Sequence, residues 1–307
     1  MPGCYAVFHK QLGDLTLLEP ALHRLHRHHG SPVRLFTRNG HAPLVELIEG
    51  VEFVRPPALV RLEDLYCFDP LSKSAFRAWT TPAARRHLII PERRELRWFH
   101  PLLFQRPETP ELGNTYVAEF FWNHTPVPDS QPFRMPRLLN PPADWAPNGL
   151  ASRSFVLINA TSGWPMKSWT TTGWSELIQH FPGDFILTHG PQDWQRTRCE
   201  EIVSRSGGKA RIVATGLREF LWLCANARAV LTVDGAASHL AAAFGVPALT
   251  LFGPTNIGQW HRPGPSHVAV RAPVDKDGVR RLRRLASDPV IAAAEPILRG
   301  GSDFSVR

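Results

Sequence analysis

Residues 231–255, Leu-Thr-Val-Asp-Gly-Ala-Ala-Ser-His-Leu-Ala-Ala-Ala-Phe-Gly-Val-Pro-Ala-Leu-Thr-Leu-Phe-Gly-Pro-Thr, set two apolar runs around a centre of small residues. Between the acid at 234 and the imidazole at 239 stand only Gly, Ala, Ala and Ser. A segment that merely filled a core would use Leu or Val there. The pattern predicts a buried strand, a helix beginning just after Asp234, and a second buried strand, which is a parallel βαβ unit. Small side chains at a helix start leave backbone N–H groups open, and these, with the helix dipole, favour an anion.

The same alternation extends outward on both sides. Strands are predicted at 154–160, 184–190, 210–216, 229–235 and 247–253, and helices at 170–181, 194–207, 217–227 and 237–245. Regular alternation of this kind specifies an α/β class with a parallel sheet covered by helices on both faces. The opening repeats it on a smaller scale: a strand at 4–9, a helix at 15–30, a strand at 32–38, then a short helix and a strand near 51–54. From 55 to 140, Pro, Arg and Trp break every period, and no element is assigned. Two Rossmann-like domains facing a central cleft are expected, 1–145 and 146–307, joined near 141–150.

Composition is that of a globular protein, with 43% apolar and 20% charged residues among 307. The four cysteines, Cys4, Cys67, Cys199 and Cys224, form no C-x-x-C pair, which favours a reducing compartment over a zinc site or disulfide framework. The N-terminus lacks a basic stretch followed by a long apolar one, so it does not read as a signal peptide. No run approaches the roughly 20 apolar residues that span a bilayer. A cytoplasmic protein without a transmembrane segment is expected. The net charge of +8 suits an anionic partner, but no nucleic-acid motif is present. The dense basic cluster at 276–285 reads as a solvated helix face. His23, His26, His28 and His29 read likewise, since nothing near them completes a metal set.

Ligands of open parallel sheets bind beyond the carboxyl ends of the strands. Four such ends carry Gly, Ser, Thr or a charge: 10–14 (Lys-Gln-Leu-Gly-Asp), 159–169, 188–194 and 233–239. Alone, Asp234 reads as a helix cap and His239 as a packed ring. Lys167, an exposed lysine from a neighbouring strand end, adds a charge of the right sign and turns the balance toward a diphosphate site. No P-loop and no G-x-G-x-x-G follows a strand, so ATPase and dinucleotide dehydrogenase readings lose their main support. A diphosphate on helix N-termini between two Rossmann-like domains suggests a nucleotide sugar. Trp164, Trp169 and Trp174 flank the loop, with packing as the default role.

At this point the residues resemble a family. Leu-Gly-Asp at 12–14 with the helix after it, 158–169, and above all 234–255 look like the bacterial heptosyltransferases, glycosyltransferase family 9. The resemblance implies a GT-B fold and an inverting, metal-independent transfer of heptose from ADP-heptose to a lipopolysaccharide core or related glycan, with no cofactor. It implies that Asp14 is the general base, that Thr161, Ser162 and Lys167 bind the diphosphate, and that Asp234, Gly235, Ala236 and His239 form the donor loop. Lys10 and Arg38 then face an anionic glycolipid acceptor at the inner membrane surface, and a peripheral place on that membrane stays open. The sequence departs from the family at His9 and Lys10, where many members carry an arginine and small polar residues. It departs again at Gly235 and Ala236, where some members carry a hydroxyl residue beside a glycine, so one diphosphate contact falls to backbone. By its residues alone Asp14 is favoured as the N-cap of helix 15–30. Two other functions are weighed: a nucleotide-sugar epimerase of the same fold, and a non-catalytic nucleotide-sugar or glycan binder.

Overall fold

The computed structural model describes residues 3–91, 93–105, 107, 109–128, 131–262 and 264–299. The chain divides into two compact units, Met1–Leu139 and Asn140–Arg307. Each has its own wholly parallel sheet.

In the first unit the elements run β1 (Cys4–Val7), α1 (Leu12–His29), β2 (Val33–Phe36), α2 (Ala42–Val45), β3 (Val51–Phe53), β4 (Leu62–Cys67), α3 (Ser72–Thr80), β5 (Ala83–Leu88), α4 (His100–Leu103) and α5 (Val117–His124). The strand order is β3-β2-β1-β4-β5. The elements up to β3 match the sequence expectation; the five after it were not assigned. β5 shows why. Its sequence, Ala-Ala-Arg-Arg-His-Leu, carries charges where apolar alternation would be sought. Arg85 donates to both oxygens of the buried Asp64 on β4, at 2.8 and 2.7 Å, and His87 meets the same carboxylate at 2.9 Å. β5 is an edge strand, where charge also discourages pairing with another chain.

α1 begins one turn earlier than expected. Gln11 is the N-cap, and Asp14 at the third helical position accepts the Gln11 N–H at 3.0 Å, a capping box. Asp14 is therefore a capping-box partner and not the N-cap. The basic end of α1 is also only partly solvated. Arg24 is buried and donates to the carbonyls of Trp122 and Val127, closing the end of α5. His29 is buried too, with its ring 3.3 Å from the Tyr66 hydroxyl.

The second unit runs β6 (Phe155–Asn159), α6 (Thr171–His180), β7 (Asp184–Leu187), α7 (Asp193–Arg205), β8 (Ala210–Ile212), α8 (Leu217–Asn226), β9 (Ala229–Val233), α9 (Ala236–Ala243), β10 (Ala248–Phe252), α10 (Ile257–Trp260), β11 (His267–Arg271) and α11 (Ser287–Arg299). Every element expected between 154 and 253 is present. β9 and β10 are buried along their whole length, as strands covered on both faces must be. The basic stretch 276–285 is not a helix face: it turns at Gly278, with φ of 79°, and Arg281 pairs with Asp275 and Asp277 at 2.7 and 2.6 Å.

The strand order β11-β10-β9-β6-β7-β8 reverses direction between β6 and β9. In the first unit the reversal falls between β1 and β4. Such switch points open a crevice at the carboxyl ends of the two central strands. In the second unit the loop after β6 is supported from below by two tryptophans. Trp169 and Trp174 are fully buried and meet edge to face at 5.2 Å, and the Trp169 indole donates to Leu285 O at 2.8 Å. Gly173 lets that ring lie flat on α6, since a Cβ there would stand 2.4 Å from it. Among the described residues, no helix is long and apolar enough to cross a membrane.

Gly173→Ala is expected to lower stability by about 1–3 kcal/mol, because a rigid buried indole has to move. Urea unfolding checks it: an unchanged midpoint would show that Trp169 is not held against α6.

Candidate functional site

At the β6/β9 switch the chain brings a loop and a helix start together. Thr232 Oγ1 donates to Asn159 O at 3.1 Å, tying the two strand ends. Beyond β6, residues 160–170 cross the sheet end; beyond β9, Asp234 and Gly235 lead into α9. Lys167 Nζ donates to Asp234 Oδ2 at 2.6 Å. The lysine is not the exposed residue expected, since its side chain keeps 18% of its accessibility and that of Asp234 only 4%. So short a pair at low exposure holds a positive charge beside the start of α9.

Gly235 stands before α9 with no side chain capping it. The first-turn N–H groups of a helix lack intrahelical partners and carry the positive end of its dipole. A Cβ on Gly235 would lie 3.8 Å from Ser162 Cβ, an ordinary contact distance, so the two loops lie near each other there. Ser162 is itself braced: its hydroxyl bonds with the backbone of Trp164, and its carbonyl accepts from Gln195 Nε2 at 2.9 Å. Thr161 Oγ1 is buried without a hydrogen-bond partner among the described residues. A buried hydroxyl left in this way costs about 1–3 kcal/mol unless something else satisfies it. Trp164 and Met166 are exposed, and Lys167 Nζ sits 5.1 Å from the centre of the Trp164 ring.

Thr161, Ser162, Lys167, Asp234, Gly235, Ala236 and His239 thus lie at one sheet end. His239 is buried and its ring is 6.1 Å from that of Trp260. Two further residues belong to the same end. Thr255, just after β10, has a buried hydroxyl with no partner among the described residues, as does His261 Nε2. Burial draws the His261 imidazole down to about 4, opposed by its bond to the His267 backbone and by the Asp234 charge. Thr255 could have been found in the quoted Gly-Pro-Thr; His261 follows an irregular turn and carries no pattern.

The first unit gathers a different set at the ends of β1, β2 and β4. His9 N–H donates to Asp69 Oδ2 at 2.6 Å, and the His9 ring meets Ser74 Oγ at 2.8 Å. Asp69 also accepts from Leu71 N–H at 2.9 Å; its burial pushes the carboxyl above the usual range. Arg38 donates to His9 O at 2.7 Å and to Gln11 Oε1 at 3.3 Å, bracing the loop that holds Lys10. Lys10 lies 4.0 Å from Glu95. Burial lowers His9 to about 4, helped by the charges of Lys73, Arg77 and Arg38. His41 falls to about 4 for like reasons: burial first, then Arg38 and Lys73. Asp69, Lys73, Arg77 and His41 were not singled out from sequence, since they sit on the stretches with no clear period or after a strand read only in outline. The arrangement is cationic and suits an anion. Among the described residues no group of three or more His, Cys, Asp or Glu is placed to hold a metal ion.

The profile of glycosyltransferase family 9 (heptosyltransferase) matches residues 128–284, just over half of the chain. Lipopolysaccharide heptosyltransferase 1 of Pseudomonas aeruginosa is 32% identical over 105 residues, 34% of this chain. That match spans only 29% of the relative's length. E. coli heptosyltransferase WaaC, solved with ADP, superposes with a TM-score of 0.78 at 18% identity, over 96% of this chain and 99% of that one. E. coli ADP-heptose lps heptosyltransferase II gives 0.79 at 16%, over 97% and 99%. The likeness fixes the fold as GT-B, with its two Rossmann-like units.

The depressed histidines predict a pH dependence. An unfolded chain protonates His9 and His41 near 6.5, whereas the folded chain does so only near 4. Their contribution to stability is whole above about pH 6.5 and is lost as pH falls toward 4. Carboxylates add their own slope, so the comparison is with His41→Asn. Thermal midpoints of the wild type should fall more steeply than those of the variant between pH 6.5 and 4. Parallel curves would mean that His41 is not held neutral by the fold.

Proposed function

The chain belongs to glycosyltransferase family 9, and from that premise we propose that it transfers a heptose from ADP-heptose to an anionic glycolipid of the lipopolysaccharide core type. The anomeric centre inverts, no metal ion takes part, and the protein works in the cytoplasm at the inner membrane face. The observation that carries this reading is the Lys167–Asp234 pair beside the uncapped start of α9, at the switch point of the second unit.

In this reading the second unit binds the donor. The diphosphate lies on the N–H groups at Gly235 and Ala236, with Lys167 Nζ turned to it by Asp234. Thr161 and Ser162 supply hydroxyls, and His239 adds a ring donor. Asp234 keeps the lysine charged and oriented, so that the positive charge is already in place when negative charge develops on the leaving group. The first unit receives the acceptor, whose anionic groups meet Lys10 and Arg38, with Lys73 beside them.

Transfer is a single displacement. Asp14 takes the proton of the acceptor hydroxyl, and that oxygen bonds to the anomeric carbon as the bond from carbon to the diphosphate oxygen breaks. ADP leaves with its charge held by Lys167 and the α9 N-terminus. One observation favours a second reading, that of a non-catalytic binder: the Asp14 carboxylate already has a structural task in the capping box.

Asp14→Asn separates the two. The amide oxygen still accepts the Gln11 N–H, so the helix keeps its start. The proton transfer is lost, and the rate of heptose transfer, followed by mass spectrometry of the acceptor, should fall by about 10²–10⁴-fold with ADP affinity unchanged. A folded variant of near wild-type rate would make Asp14 a cap alone. Lys167→Ala should weaken ADP in calorimetric titration by about 1.5–3 kcal/mol; equal affinity would remove Lys167 from the site. Turnover should survive EDTA, and a strict need for Mg²⁺ or Mn²⁺ would contradict the role given to Lys167 and α9.

A further inference from the structure

Three segments of the first unit pack inward on one apolar cluster: residues 54–58, α3, and residues 96–104 around α4. Their inward residues include Val54, Ala58, Ala75, Ala78, Leu96 and Phe104. Their outward residues are also large and apolar. Trp98 is 82% exposed, Leu102 76%, Trp79 62% and Phe76 57%, and Leu59, just after the first segment, is 89% exposed. Phe76 and Trp79 touch each other at 6.0 Å, one turn apart on α3. Elsewhere among the described residues, the exposed large apolar side chains are Leu139, Trp164, Met166 and Val274. An aromatic surface of this kind on a folded chain marks a place of contact.

The charges on and next to these segments are mostly of one sign. Arg55, Arg61, Lys73, Arg94 and Arg97 are exposed there, against the exposed Glu52 and Glu63, of which Glu63 pairs with Arg85. Glu95, just before the third segment, lies beside Lys10 at 4.0 Å. Exposed tryptophan and phenylalanine on segments that also carry arginine suit the boundary between lipid headgroups and acyl chains, where the ring enters and the cation meets phosphate. Nucleic acid would use the rings and cations but would leave Leu59 and Leu102 without a purpose.

We propose that this face, formed by α3, α4 and the loop before β4, docks the protein on an anionic phospholipid bilayer. The apolar side chains enter the interface, and the surrounding arginines bind the acidic headgroups. The membrane location proposed above thereby gains a definite face on the first unit. The docking face rests on its own residues and stands or falls apart from the transfer reaction.

Vesicle sedimentation with the full chain tests it, using phosphatidylcholine alone and phosphatidylcholine mixed with phosphatidylglycerol, without donor or acceptor. The chain should pellet with the mixed vesicles and not with phosphatidylcholine, and high salt should release it. The double variant Phe76→Ser, Trp79→Ser should bind about tenfold more weakly or worse, and Arg61→Ser or Arg97→Ser about fivefold more weakly each. Circular dichroism and an unchanged thermal shift with ADP show that each variant is folded. Should the α3 pair fail to fold, Trp98→Ser with Leu102→Ser reads the same face from another segment. Binding to the mixed vesicles that none of these changes alters, or no binding by the wild type, would overturn the proposal. So would equal binding to phosphatidylcholine alone, or a dimer in solution that the α3 substitutions dissolve.

Discussion

The contact between the Lys167 ammonium and the Asp234 carboxylate organises the switch-point end of the second unit. An unpaired charge at such low exposure is strongly unfavourable, so each group fixes the other. Because Lys167 comes from the loop after β6 and Asp234 from the end of β9, their pairing closes the two sides of the switch point. Around it the chain keeps side chains small, at Gly235, Ala236 and Ala237, and places hydroxyls at Thr161 and Ser162. A fixed cation, open N–H groups and the unsatisfied Thr161 hydroxyl are the features that suit phosphate oxygens. The buried tryptophans beneath matter for the same reason, since a loop that sagged would draw Lys167 away.

The first unit meets the same topological opportunity with other chemistry. At its switch point the buried Asp69 holds the backbone of His9 and Leu71, and Arg38 ties β2 to the β1 loop. Here the carboxylate organises loops, and the exposed groups around it are cationic. Two neutral histidines lie among these cations, kept neutral by burial and by the neighbouring charges. Both units thus place cationic groups at their strand ends, Lys167 beside a helix start in the second and Lys10, Arg38, Lys73 and Arg77 in the first.

The sequence showed the second unit well because its physics is simple. A strand buried on both faces has to be mostly apolar, and β6, β9 and β10 are, with only Asn159, Thr232 and Thr250 polar among them. The small residues after Asp234 were legible for the converse reason, since they break an apolar run where nothing in packing asks for it. What escaped was structure held by paired polar groups. β5 is a strand because Arg85 and His87 find Asp64 across the ladder, a relation that no local pattern displays. His29 was misjudged as solvated because its partner, Tyr66, lies far off in sequence, and Arg24, whose partners lie farther still, was not singled out. Asp14 was placed as an N-cap because Gln11 is an unusual residue to begin a helix, and the capping box hid one turn. His261 has no pattern at all; only the fold brings it beside Asp234.

A crystal structure of the protein with ADP bears most directly on the donor site. The account predicts phosphate oxygens within hydrogen-bond distance of Lys167 Nζ and of the backbone N–H groups at the start of α9, with Thr161 Oγ1 no longer without a partner. ADP bound with its phosphates away from α9, and Lys167 still paired with Asp234 alone, would contradict it.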